Sequence, residues 1–530
     1  MIGSESFSER IIGSCPHREF CGGCLYNGEN YDDVLGKKDD EVKSCFSSHD
    51  IDISAIYQGI QGAQADYRYA YRNKMEYTFG DLVKGGELQL GMHKKGNFMS
   101  IITVDECQLV PADFNKILRF TLDFCTSHGY THYNKKSHTG LLRNLIVRRG
   151  VRTGEILVDI VTSSESDIMR SDGIATSSES DAKHSDRLSG FDAETWKDGL
   201  LALSLDNEIV GIMHTINDGI ADTVNCDEQR ILFGRDYYYE EICGLKFKVN
   251  VFSFFQTNVE AIEKLYTEAV ALIPKLSGKV VYDLFCGTGT ISQIVAKEAE
   301  RVIGVEIVED SVEAARCNVE LNDIKNCEFI KGDVYKILTE AAEGSDSVGD
   351  SGAVSDALPV PDVIIVDPPR MGLQTKTVNK VASYGVPEIL YISCNPKTLA
   401  ADIEDFKLAG YEPKYIKAYD NFPWTKHVET VCLLSKLSSA KHHIEINVDM
   451  DELDLTSAEA KATYEEIRNW VQEEYGLHVT NLNIAQVKQK HGIIERENYN
   501  KPKSPDSKQP GCPEEKVKAI EDAMRHFQMI

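Results

Sequence analysis

A chain of 530 residues exceeds what one hydrophobic core usually serves, so about two to four domains are expected. With 42% hydrophobic and 27% charged residues the composition is that of a folded globular protein and excludes a disordered or fibrous one. The net charge of −27 argues, taken over the whole chain, against a polyanionic partner, because affinity for nucleic acid is built largely on phosphate neutralisation.

The opening MIGSESFSER has neither a basic nor an apolar leader region, and no run of eighteen apolar residues follows anywhere, so a cytoplasmic protein with no membrane partner is expected. Fourteen cysteines in a reducing compartment read as thiols, metal ligands or a nucleophile, not as a disulfide framework. Cys15, Cys21 and Cys24, with Cys107 further on, have metal-ligand spacing. That spacing by itself suits zinc nearly as well as an iron–sulfur cluster, and His17 is a possible zinc ligand.

From Gln61 to Ile160 fourteen Lys and Arg stand against ten Asp and Glu, so the charge is locally reversed. Arg68, Arg72 and Lys74 alternate with Tyr67, Tyr69, Tyr71 and Tyr77, and Arg143, Arg148, Arg149 and Arg152 follow. Cations interleaved with aromatics suit a surface that holds phosphates and stacks unpaired bases. A solvated strand face with the tyrosines packed inward fits the same pattern. Residues 163–188, in which SSESD occurs twice, and residues 341–362, with five acidic residues and no Lys or Arg, read as surface loops.

After Asn250 short β-branched runs (KVVYDLF, RVIGVEI, DVIIVD, ILYISC) are separated by helix-like stretches, the pattern of βαβ units around a parallel sheet. Gly287 and Gly289 follow the first of these strands and precede a helix near Ser292, a nucleotide-type glycine turn. Nineteen residues past Gly287, Glu306 closes the next strand, where a carboxylate can accept ribose hydroxyls. The third glycine of the dinucleotide fingerprint is missing, so S-adenosylmethionine is the better ligand. Asp367-Pro-Pro-Arg370 lies at the carboxyl edge of such a sheet, where its carbonyls can grip a planar base or amide, as an N-methyltransferase would use them.

Cys394 falls at a strand-to-helix turn, where a helix N-terminus can lower a thiol pKa; a small buried hydrophobe is the alternative. Beside a methyl donor a nucleophile is useful when the acceptor carbon must first be activated, as C5 of uracil must. Such a reaction also needs a base, and His427 and Glu429 share a face if their segment is a strand; we prefer Glu429. Beyond this point Thr456 with Glu459 forms a capping box, Ala460, Tyr464, Ile467 and Val471 share a helical face ended by Gly476, and Pro513 opens a last helix.

The motifs CPHREFCGGC, YRNKMEYTFG, LGMHKKG, FSFFQTN, DLFCGTGT, DPPRMGL, SCNP and FPWTKHVE occur in the order found in the RNA (uracil-C5)-methyltransferases, and from about Cys15 to Lys436 the chain resembles that family. The resemblance implies Cys394 as nucleophile and Glu429 as base. It implies S-adenosylmethionine contacts from Gln256, Phe285, Glu306 and Asp367, with Asp333 a weaker carry-over near the adenine. Cys15, Cys21, Cys24 and Cys107 look like the [4Fe–4S] ligands of the branch that acts on 23S ribosomal RNA, so that RNA is the expected partner and the T-loop of transfer RNA the runner-up. No obligate protein partner is evident, and a non-catalytic RNA-binding or assembly protein is the rival from another class. Many relatives carry an oligonucleotide-binding barrel ahead of the cluster cysteines, for which fourteen residues before Cys15 leave no room.

The expected fold is α/β. Residues 246–438 would form a Rossmann-like methyltransferase domain. Residues 1–125 and 126–245 would form a mostly β, or α+β, iron–sulfur RNA-binding region, and residues 439–530 a small α/β extension. Without the family, Phe252, Phe254 and Phe255 read as a buried strand.

Overall fold

The computed structural model describes residues 15–164, 190–220, 226–343, 358–437, 464–491, 513–527 and 529. Most of the Ser/Asp-rich insertion and of the acidic stretch after Ala341, as well as Thr456, Glu459, Ala460, Lys501 and Lys503, lie outside the described residues. The chain divides into two units, 1–438 and 439–530.

In the first unit β1 (Tyr57–Gln61) precedes a run of strands that build a seven-stranded sheet: β2 (Lys74–Asp81), β3 (Leu88–Lys94), β4 (Asn97–Thr103), β5 (Leu142–Arg149), β6 (Glu155–Thr162), β7 (Glu208–Ile216) and β8 (Glu228–Gly234). Their order is β4-β3-β2-β5-β6-β7-β8, mostly antiparallel with one parallel step between β6 and β7. Met75, Tyr77 and Phe79 alternate along β2 and pack with Phe114, Ile117 and Leu118 of the helix Ala112–Ser127, the half-buried pattern of such a sheet. The hairpin β9 (Tyr237–Ile242) and β10 (Leu245–Asn250) follows.

The remaining strands are β11 (Val280–Leu284), β12 (Arg301–Glu306), β13 (Cys327–Lys331), β14 (Val363–Val366), β15 (Glu388–Ser393), β16 (Tyr411–Tyr419) and β17 (Glu429–Lys436). With β1 they form an eight-stranded sheet in the order β1-β16-β17-β15-β14-β11-β12-β13. All four expected β-branched runs are therefore strands. They read as continuous apolar runs because both faces are covered: Val281, Val363 and Ile365 enter one core, while Tyr282, Leu284, Ile364 and Val366 enter the other. From β11 the chain winds outward through β12 to β13, then returns to lay β14 on the other side of β11. That reversal makes the carboxyl ends of β11 and β14 a topological switch point, the place where open α/β sheets bind ligands. β1, from the N-terminal region, pairs in parallel with β16 and so joins this sheet.

The described part of the second unit is three helices, Tyr464–Tyr475, Asn481–Lys490 and Glu514–His526, with no strand among the described residues. They close a small core around Ile467, Val471, Ile484, Ile520 and Met524. Gly476, at a left-handed φ of 66°, ends the first helix and Pro513 opens the last, as the sequence reading expected. No described helix is long and apolar enough to cross a membrane.

Candidate active site

Most residues expected at the site sit where strands of the eight-stranded sheet run out, while Gln256 lies on the loop after β10. Asp283 lies near the end of β11 and Phe285 follows it, Glu306 ends β12, Asp367 follows β14, Cys394 follows β15 and Glu429 begins β17. Ser393 pairs with Thr430, which brings the ends carrying Cys394 and Glu429 side by side.

The glycine turn is shaped for a close backbone approach. Phe285 takes a left-handed φ of 65°, an unusual conformation for a bulky residue, and its N–H donates to the Val305 carbonyl at 2.9 Å. Gly287 is also left-handed, and a Cβ there would meet nothing within 4 Å, whereas a Cβ at Gly289 would strike Phe329 at 2.5 Å. The first glycine thus keeps an open cradle and the second permits packing. Glu306 is preset: Oε2 accepts from Gly287 N–H at 3.1 Å, and Oε1 accepts from Ile307 and Val308 at 2.8 and 2.9 Å. Gln256 is placed by the buried Tyr266, whose hydroxyl accepts from Nε2 at 2.9 Å, while Asn73 holds its carbonyl at the same distance. Asp333 is exposed and caps the Lys336 N–H.

At the centre are carboxylates with little water. Burial, and after it Asp283, raises Asp367 to about 7. Burial, and after it Asp367, raises Glu429 to about 8, with Arg370 opposing. Asp283 is also raised to about 7 by burial, and its Oδ1 has no hydrogen-bond partner among the described residues. The Cys394 thiol is pushed up to about 11, first by burial and then by Glu429 and Asp367; Arg370, bonded to it, pulls the other way. This corrects the expectation that the helix N-terminus would make it an acidic thiol. Carboxylates and poor solvation outweigh the helix, and the cation that opposes them is Arg370.

Arg370 is fixed from several sides. Asn395 Nδ2 and Thr398 Oγ1 donate to its carbonyl at 3.0 and 3.3 Å, and its guanidinium lies 3.0 Å from His427 Nδ1. His427 precedes β17 and is not part of a strand. Burial, then Arg370, lowers its ring to about 4, so at neutral pH it is uncharged and Glu429 is the stronger base of the two. Cys394, Arg370, Lys397, Lys426 and His427 border a cavity of about 280 Å³, whose cations suit a phosphate-bearing substrate. A larger cavity of about 500 Å³, beside Gln61, Glu260 and Asn421, holds none of the expected site residues.

The segment leading to Glu429 is clamped by the N-terminal region. Lys38, fully buried, forms an ion pair with the buried Asp420 at 2.6 Å and donates to the carbonyls of Phe422 and His427 at 3.2 and 3.0 Å. Tyr31 hydroxyl donates to the same carboxylate at 2.8 Å. Removing one partner of such a pair leaves a buried charge, at a cost of about 3–5 kcal/mol. Lys38→Met is therefore expected to lower the urea midpoint clearly and to depress methyl transfer further than the unfolded fraction accounts for.

The expected metal ligands lie against this clamp. Tyr26 N–H donates to Trp424 O at 3.0 Å, and Cys24 and Cys107 pack beside Trp424, Tyr31 and Tyr71. Burial raises the Cys24 thiol most, and Cys107, Cys21 and Cys15 add to it. Cys107 is pushed up to about 11 for the same reasons. His17 Nε2 accepts from the Glu106 N–H at 3.2 Å, which occupies the expected alternative zinc ligand. Among the described residues no group of three or more His, Cys, Asp or Glu is arranged to hold a metal ion.

Elsewhere the aromatic and cationic residues divide. Tyr71 and Tyr77 are buried, and the buried Arg143 and Arg148 donate to backbone carbonyls of Asn217, Gly219 and Ser253, so none of these four stands free on the surface. Phe255 is buried, but Phe252 and Phe254 are exposed on a loop, not in the buried strand that their apolar run suggested. Arg370's partnership, Tyr266 and Lys38 had no signal beyond helix periodicity or a motif neighbour.

The chain is similar to known RNA methyltransferases. Residues 203–437 match the tRNA (uracil-5-)-methyltransferase family. An uncharacterized RNA methyltransferase of Clostridium acetobutylicum is 43% identical over 80% of this chain and 83% of its own. One of Clostridium tetani is 41% identical over 81% and 84%. The crystal structure of Pyrococcus abyssi tRNA (uracil-54, C5)-methyltransferase in complex with S-adenosyl-L-homocysteine shares the fold with a TM-score of 0.57, covering 78% of this chain and 84% of that one at 24% identity.

Proposed function

The chain belongs to the RNA (uracil-C5)-methyltransferase family, and from that premise we propose that it methylates C5 of a uridine in 23S ribosomal RNA with S-adenosylmethionine as donor. The observation that carries the chemistry is the meeting of Cys394, Arg370 and Glu429 at one sheet edge. S-adenosylmethionine would be held by Gln256, Phe285, Glu306 and Asp367, and it supplies an electrophilic methyl group. The open cradle at Gly287, the preset Glu306 and the unpartnered Asp283 oxygen support that placement.

Cys394, as thiolate beside Arg370, adds to C6 of the uracil and drives the electrons of the 5,6 double bond toward O4, leaving C5 nucleophilic. Once C5 carries the methyl, Glu429 removes the C5 proton; the double bond re-forms and the Cys394 thiolate departs. A uracil can reach Cys394 only outside its stack, so an unpaired loop is the substrate site. Both groups work deprotonated but start protonated near neutral pH. The rate at limiting RNA should therefore rise from pH 6 through pH 9 with no falling limb in that window. A flat profile would show that burial does not govern these groups.

The spacing of Cys15, Cys21 and Cys24, with Cys107, and its resemblance to the ribosomal-RNA branch support a [4Fe–4S] cluster on these four thiols. The steps above transfer no electron, so its role would be structural. Equal iron and acid-labile sulfide in anaerobically purified protein is expected; zinc alone would replace the cluster by a zinc site. The transfer-RNA T-loop is the second reading, favoured by the description of the matched family and by the Pyrococcus enzyme. Labelled S-adenosylmethionine offered with 23S and transfer RNA from cells lacking the gene should yield 5-methyluridine in 23S RNA. Label in transfer RNA would promote the second reading, and no label in either would overturn both.

A further inference from the structure

The seven-stranded sheet buries Met75, Tyr77 and Phe79 on one face, so Lys74, Glu76 and Thr78 of β2 look to the other. On that open face β2, β3, β4 and β5 border a cavity of about 140 Å³ lined by Glu76, His93, Phe98, Tyr133, Lys135 and Asn144. Its walls are aromatic and carry cations. Phe98 is 61% exposed and stacks on His93 with centroids 4.1 Å apart and planes within 15°. Lys135 Nζ lies 5.6 Å from the Phe98 ring centre, and the Arg143 guanidinium covers Tyr133 at 4.2 Å. Asn144, on the inner side, is only 9% exposed and lines the cavity.

An exposed aromatic platform, a side-chain amide on the inner wall and neighbouring cations together describe a site for a planar, hydrogen-bonding ring on a phosphate chain. Glu76 narrows the choice. A carboxylate repels phosphate but accepts from an amino group, and an asparagine amide offers a donor and an acceptor to a base edge. We propose that this pocket takes an unpaired adenine or cytosine, whose Watson–Crick edge sets an amino donor beside a ring-nitrogen acceptor, from the RNA strand that also presents the target uridine. The proposal rests on the RNA-methyltransferase reading above and adds a second point of recognition to it.

The register supports one strand serving both sites. Thr78 pairs with Asn144 at the pocket, Lys74 pairs with Arg148 four residues along β2, and Asn73 holds the Gln256 carbonyl. Four strand residues span roughly 13 Å, about four stacked nucleotides at ~3.4 Å each. The exposed Phe252 and Phe254 lie on the loop at that end.

Binding of fluorescent ten-nucleotide oligoadenylate, oligocytidylate and oligouridylate to the full chain tests this. The wild type should hold the adenylate or the cytidylate more tightly than the uridylate, and which of the two wins names the base. Phe98→Ala should weaken the preferred oligomer about 5- to 150-fold, the range for loss of one base–aromatic stack. Asn144→Ala should bring the three affinities together. Phe98 is a surface side chain, so its variant should keep the wild-type melting temperature; Tyr133→Ala is a second wall variant should Asn144→Ala fail to fold. Equal affinity of the wild type for all three oligomers, or unchanged binding by Phe98→Ala, overturns the proposal. Selective binding by a protein that methylates no uridine would instead overturn the methyltransferase reading and leave the pocket standing.

Discussion

Cys394→Ala should abolish methyl transfer, lowering turnover on the order of 10⁴-fold or more while leaving the fold intact, since loss of a nucleophile removes the covalent route. The side chain is partly exposed at the turn between β15 and the helix Pro396–Leu408. That turn is held by other residues: Asn395 caps the helix through the Lys397 N–H, and Ser393 Oγ donates to the Asn395 carbonyl. Truncation at Cβ therefore deletes a reacting sulfur and little packing. Labelled methyl transfer to RNA, measured beside a thermal melt, decides the matter. Turnover within tenfold of wild type would return the N-methyl reading, in which Asp367-Pro-Pro grips a base and no thiol is needed. Loss of turnover with full RNA binding would set aside the non-catalytic reading as well, because a binding protein has no step to lose.

Glu429→Gln should trap the reaction one step later, as a covalent protein–RNA adduct that survives denaturing gels, with turnover down by about 10²–10⁴-fold. Two effects act in the same direction. The amide cannot take the C5 proton, so Cys394 cannot be expelled. Above about pH 8, where Glu429 is ionised, it also removes a negative charge that raises the Cys394 thiol, so attack at C6 becomes easier there. Cys394→Ala in the same chain must erase the adduct; an adduct that persists would place the bond on another residue. Stability gives an independent reading. Burial and Asp367 raise the folded pKa of Glu429 to about 8 from an unfolded value near 4.5. A raised carboxyl favours folding below its unfolded pKa, and that advantage is lost as pH climbs through the folded one. Glu429→Gln should therefore melt several degrees above wild type at pH 9, with a smaller difference at pH 6. Equal melting at both would mean that Glu429 is not held in a poorly solvated site.

Several features of this protein could be read without coordinates because they are written in neighbouring residues. A β-branched run buried on both faces, as in Val363–Val366, looks the same in sequence and in space. Gly287 and Gly289 declare a left-handed turn, and Cys394-Asn-Pro declares a helix start, since backbone dihedrals are set locally. The alternation of Arg and Tyr before β2 was less informative, because it does not say which side of a strand faces the core. Tyr71 and Tyr77 went inward, while Phe98, in a stretch that drew no notice, stayed in solvent.

The sequence by itself thus determined the strands along the chain, the glycine turn and the residue types that the proposed chemistry needs. Only the tertiary structure decided how those residues are set to work. Lys38 reaches Asp420 across 382 residues, and Arg370 meets His427 across 57. It also settled that Cys394 is a poorly acidic thiol opposed by two carboxylates and supported by one guanidinium. The reason is physical: periodicity and turn chemistry report on dihedrals and burial within a few residues. A pKa depends on which charges and how much water the completed fold brings to within a few ångströms.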